Sequence, residues 1–115
     1  MAQQTQTCGK TTVEYDERCT YTCTCGPKIG CKWNVECPDG KGGWTNTSGT
    51  GMTTTTQPKY PTVQVAGNLD AIARSLTKMW KQKVTVPERL AAKRVRRTLK
   101  GSPEEIAQAL GLKLG

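Results

Sequence analysis

Five of the chain's six cysteines fall between Cys19 and Cys37, in the stretch CTYTCTCGPKIGCKWNVEC, and no histidine occurs among the 115 residues. Read with a period of two, Cys19, Tyr21, Cys23 and Cys25 share one face, with Thr20, Thr22 and Thr24 opposite. Beyond Gly26-Pro27-Lys28-Ile29-Gly30, the residues Cys31, Trp33, Val35 and Cys37 share one face, and Lys32, Asn34 and Glu36 oppose them. Strict alternation on both sides of a short Gly/Pro loop predicts a β-hairpin. A symmetric loop sets opposite residues to sum to 56, so Cys25 faces Cys31 and Cys19 faces Cys37. Directly opposed strand residues hold their Cβ atoms about 4.5–5.5 Å apart, within reach of a bridge after modest twisting. Cys8 and Cys23 remain and pair if Thr11–Tyr15 (TTVEY) forms a further strand.

The competing chemistry is a metal. Structural zinc sites draw on two C-x2–4-C knuckles. Here C-x3-C and C-x-C lie on one strand and C-x5-C follows, a poor overlap. A cytosolic cysteine-only zinc module stays as an alternative. A redox C-x-x-C is absent. An even cysteine number in a short chain favours a disulfide frame in an oxidising compartment, and hence an extracytoplasmic setting: periplasm, cell surface or secreted. No metal and no cofactor is expected. No run of about 18 apolar residues is present to span a membrane, and the Met1–Thr5 opening reads as a mature secreted end carrying a start Met.

The two halves differ in what they can bury. Residues 1–61 hold three Val, Ile and Leu residues, and residues 62–115 hold fourteen. Net charge divides as +1 and +7, within an overall +8. Between them, Thr45–Pro61 (TNTSGTGMTTTTQPKYP) has seven threonines, two glycines and two prolines, a linker composition of β-leaning residues. The expected organisation is a Cys-rich β module over residues 1–44, a linker over 45–61 and a second domain over 62–115. The class is α+β.

In the second half, TVQVAG (Thr62–Gly67) alternates as a strand, and Asn68 can cap a helix carrying Leu69, Ile72, Ala73, Leu76, Met79 and Trp80 at helical spacing. KVTV (Lys83–Val86) is a second strand, halted at Pro87, and Arg94–Gly101 (RVRRTLKG) a third. SPEEIAQALG then reads as a helix with a capping box from Ser102 to Glu105, Pro103 in the first turn and Gly111 at the end. The order is β-α-β-β-α. Leu69, Ile72, Leu76, Val84, Val86, Val95, Leu99, Ile106 and Leu110 are its expected core.

With the segments NLDAIARSLTKMW, KVTVPERL, KRVRRTLKG and SPEEIAQALGL in this order, Thr62–Leu114 resembles the short N-terminal domain of bacterial secretins and of TonB-dependent signalling receptors. The resemblance implies a docking module without chemistry of its own, working in a bacterial envelope or surface system.

Other motifs carry less. CGKTT (Cys8–Thr12) lacks the upstream glycine and apolar strand of a phosphate loop. PDGKGGW (Pro38–Trp44) is turn chemistry. Catalysis needs a nucleophile or base held beside a partner, and with no histidine and bridged thiols only ordinary hydroxyls remain, so no catalytic residue is expected. The leading expectation is a non-enzymatic protein-interaction or assembly subunit. Edge strands at TVQV or CKWNVEC would add to a partner's sheet. The second expectation is binding of nucleic acid or another polyanion through Arg94, Arg96 and Lys100, which share one face of the basic strand.

Overall fold

The computed structural model describes residues 3–26, 30–51, 62–91 and 93–114. Strands β1 (Gln3–Cys8) and β2 (Thr11–Asp16) form a two-stranded hairpin. Strands β3 (Thr20–Gly26), β4 (Gly30–Pro38), β5 (Trp44–Gly51), β6 (Thr62–Asn68) and β8 (Arg94–Lys100) form one antiparallel sheet in the order β5-β4-β3-β6-β8. Helices α1 (Leu69–Trp80) and α2 (Pro103–Leu110) cover one face of it. A small ribbon of β7 (Val84–Thr85) and β9 (Lys113–Leu114) packs outside the helices.

The cysteine-rich hairpin has the register expected from its alternation, with Cys25 opposite Cys31 and Tyr21 opposite Val35. The three bridges are Cys8–Cys23, Cys19–Cys37 and Cys25–Cys31. Cys25–Cys31 links opposed positions on β3 and β4, and Cys19–Cys37 joins the residue just before β3 to β4. The third crosses from β1 to β3 and holds the outer hairpin on the sheet. Residues 27–29 of the loop lie outside the described residues.

The two compositional halves do not make two sheets. Their strands join in one, with one apolar core on each of its faces. On the hairpin face the buried residues are Cys8, Val13, Tyr15, Cys19, Tyr21, Cys23, Cys31 and Val35, with the Tyr15 and Tyr21 rings stacked 5.2 Å apart. On the helix face, Val63 and Val65 of β6 meet Leu69, Ile72, Leu76, Ile106 and Leu110. Val86, Val95 and Leu99 border that core rather than filling it. The sheet is shared because β3 is buried on both faces: Tyr21 and Cys23 on one side, and Thr20, Thr22 and Thr24 on the other. A strand buried on both faces sits inside a sheet, flanked by partners on both sides. β6 supplies the second partner, pairing Thr22 with Val65 and Tyr21 with Ala66.

The strand order changes three expectations. TVQV lies in β6 between β3 and β8, and CKWNVEC lies in β4 between β3 and β5, so neither is an edge. The edges are β5 and β8. The first part of the expected linker is itself a strand: Thr45 to Gly51 pair with β4, since threonine suits an extended chain. The rest of that segment, residues 52–61 including Pro58 and Pro61, lies outside the described residues, as does Ala92. Strand β1 was not anticipated at all. Its QQTQTC has no apolar alternation, and it is held by pairing with β2 and by Cys8.

Local signals set the helix ends. Asn68 Oδ1 accepts from the Asp70 and Ala71 amides at 2.8 and 3.4 Å. Ser102 and Glu105 complete a reciprocal capping box, and Gly111 ends α2 at φ 80°. At Gly67, φ is 133° and a Cβ would stand 2.8 Å from Thr20 Cα, so β6 and β3 approach there only because the side chain is absent.

Candidate functional site

All six sulfurs are in bridges. Sulfurs of Cys8, Cys23 and Cys25 lie within 4.8 Å of one another, a metal-like spacing. A zinc ligand must be a thiolate, and a bridged sulfur offers none. The cluster is therefore a crossing of staples, and its chemistry is structural.

Two surfaces remain. The first is the β5 edge. Its sequence WTNTSGTG has no charged residue and no proline, and among the described residues no strand pairs with its outer side. Proteins ordinarily blunt such edges with charge, proline or bulges. The other edge, β8, is blunted in that way by Arg94, Arg96, Arg97 and Lys100. β5 is also held rigidly from behind. Asn46 Nδ2 donates to Asn34 Oδ1 at 2.6 Å, and Asn34 Nδ2 donates to Ser75 Oγ of α1. The nearly buried Glu36 accepts two bonds from Arg74 at 2.9 and 3.2 Å. Arg74 lies 5.2 Å over the ring of Trp44, the large apolar residue most exposed among those described. Gly49 lets the Trp33 indole lie across β5, since a Cβ there would stand 2.8 Å from the ring. The polar side of the cysteine hairpin, Asn34 and Glu36, is thus the side that docks α1.

The second surface is a groove on the opposite face. The outer hairpin covers β3 and leaves the hairpin-side face of β6 and β8 open. Arg96 pairs with Ala66, which pairs with Tyr21, so these three share that face. Two adjoining depressions run along it. One is lined by residues including Gln4, Tyr15, Glu17, Ala66, Arg94 and Arg96, the other by residues including Gln6, Tyr21, Gln64, Arg96 and Thr98. Arg94 donates to the Glu17 carbonyl at 2.9 Å. The side chains of Arg96 and Lys100 make no hydrogen bond or ion pair among the described residues, though both residues pair with β6 in the sheet. Arg97 points to the other face and donates to the Ala109 carbonyl at 2.8 Å. Arg94 and Arg96 therefore meet in one groove, and Lys100 continues the same face at the strand's far end.

Comparison with family models, with curated proteins and with solved structures finds no match to this chain. No helix among the described residues is long and apolar enough to cross a membrane. Three disulfides in so small a chain indicate an oxidising compartment.

Sequence reasoning missed the β5 edge because residues 45–51 were read by composition. The available signal was the run of strand-favouring threonines directly after the Pro-Asp-Gly turn. It also missed the Glu36–Arg74 pair, 38 residues apart in the chain. No local pattern announces such a contact.

Proposed function

We propose that this protein is a non-enzymatic assembly subunit acting outside the cytoplasm, and that it self-associates by pairing β5 with β5 of a second copy. The observation that carries the reading is the contrast between the two edges: β8 is guarded by four basic residues and β5 by none. Antiparallel pairing of one strand with its own copy is isologous and closes at a dimer. It would unite two five-stranded sheets into one. Charge does not oppose it. Lys32 on β4 lies one strand back from the edge, so the two copies' Lys32 residues are at least three strand spacings apart, about 14 Å or more. That exceeds the screening length of about 8 Å at physiological ionic strength. The likeness of residues 62–114 to envelope docking domains supports a place in a bacterial envelope or surface assembly, as do the disulfides.

Sedimentation velocity across a concentration series tests this. The wild-type chain should show a reversible monomer–dimer equilibrium. Thr47→Lys places like charges opposite each other at the centre of the joined strands and should yield monomer at all concentrations. A wild-type chain that stays monomeric to millimolar concentration overturns the reading. So does a Thr47→Lys dimer.

A further inference from the structure

The groove between β1 and β8 lies at the other side of the sheet from β5 and is argued independently of the dimer. We infer that it is a binding site for an extended acidic glycan, a sulfated or uronate-bearing oligosaccharide. Three features of its lining carry this.

The first is charge. Arg94 and Arg96 line the groove, with Arg94 donating to the Glu17 carbonyl at 2.9 Å, and the Arg96 side chain has no hydrogen-bond or ion-pair partner among the described residues. Along a strand, residues two apart are spaced about 6.6–6.8 Å. The two arginines and Lys100 therefore form a ladder of cations along one line. A guanidinium takes a carboxylate or sulfate through paired N–H donors. Glu17 is the one acid lining the first depression, where its carbonyl accepts from Arg94, and the second depression, which Arg96 also lines, has no acid in its lining.

The second is the neutral lining. Gln4 and Gln6 of β1 place two carboxamides along the same groove, beside Gln64 of β6, whose Oε1 already accepts from the Tyr21 hydroxyl at 3.4 Å, and Thr98 on the β8 side. A carboxamide donates and accepts at once, which matches the hydroxyls of a sugar ring between its acidic groups. A plain phosphate ladder would have no use for those acceptors.

The third is what the groove withholds. Binders of single-stranded nucleic acid offer aromatic faces for base stacking. Here Tyr15 and Tyr21 spend their faces on each other and are buried, at 5% and 0% exposure. Between the two polyanion classes, the lining favours the glycan.

The test is binding of the folded, oxidised chain to a heparin-derived hexasaccharide, measured by calorimetry over a salt series. A neutral dextran oligomer and a single-stranded oligonucleotide of equal charge serve as comparators. Affinity for the hexasaccharide should fall with salt, as ion release requires, and exceed that for the oligonucleotide. Arg94→Gln/Arg96→Gln should weaken it by about tenfold or more, the loss expected from charged hydrogen bonds. Because Arg94 also ties the Glu17 carbonyl, Arg96→Gln alone is the second variant; Arg96 is exposed and should leave the thermal midpoint unchanged while weakening binding. Lys32→Gln/Lys78→Gln removes the same charge from the opposite face and should change affinity by less than about twofold, in keeping with screening of distant exposed charges. Absence of hexasaccharide binding at physiological salt overturns the proposal. Equal binding of the oligonucleotide overturns the glycan assignment. Equal weakening by the lysine pair overturns the site.

Discussion

Removing the Cys8–Cys23 bridge, by Cys8→Ala/Cys23→Ala, tests how the outer hairpin is held. The bridge closes a loop of sequence separation 15. Loop-closure entropy for that length corresponds to about 3 kcal/mol at 25 °C. For a domain whose total stability is of order 5–15 kcal/mol, this is a large share. The hairpin has little else to replace it. β1 and β2 pair with each other and with no strand of the central sheet. Their apolar contacts with it run through Val13, Tyr15 and the stack on Tyr21. Urea unfolding followed by circular dichroism measures the loss. With a urea slope of about 1–3 kcal/mol per molar, a 3 kcal/mol loss moves the midpoint by about 1–3 M. Hydrogen exchange should place the weakness first in residues 3–16 and spare α1. A loss below about 0.5 kcal/mol, the range of neutral surface changes, would refute the claim that this bridge anchors the hairpin. Equal loss of protection in α1 would refute the claim that the hairpin is the weak layer.

Further outcomes follow from the two cores. Leu76→Ala empties a fully buried site and should cost about 2–5 kcal/mol in chemical denaturation. Gly67→Ala should cost on the order of 1–3 kcal/mol, because φ there is 133° and the new methyl meets Thr20. Burial, with Tyr15 alongside, pushes the Tyr21 phenol well above its ordinary range. The folded state then keeps a proton that the unfolded chain releases near pH ~10. Stability is therefore intact below that pH and falls as pH rises above it. Ultraviolet titration should show one phenol ionising only with unfolding, and Tyr21→Phe should remove that delayed step.

Much of the architecture was legible where the signal is local. Period-two alternation placed β3 and β4 and, through their register, the opposed cysteines. Helical spacing with Asn68, Ser102, Pro103 and Gly111 placed α1 and α2. What was not legible is long-range. Nothing in Thr62–Asn68 says that β6 pairs with β3, about 40 residues earlier. That pairing turns two apparent modules into one sheet and takes TVQV off the edge, while β5, pairing with β4, does the same for CKWNVEC. The contrast between a cysteine half and an aliphatic half corresponds to two apolar cores on opposite faces of one shared sheet. For the candidate sites, strand alternation set Arg94, Arg96 and Lys100 on one face. Their groove partners Gln4 and Gln6 lie on β1, which has no apolar pattern to reveal it.

The claim that β5 is the assembly edge is tested most directly by hydrogen exchange on the two edge strands, at dilute and at concentrated protein. Amides of residues 44–51 should gain protection as concentration rises, while those of residues 94–100 should not change. Unchanged exchange in both strands, or protection gained in residues 94–100 alone, would contradict it.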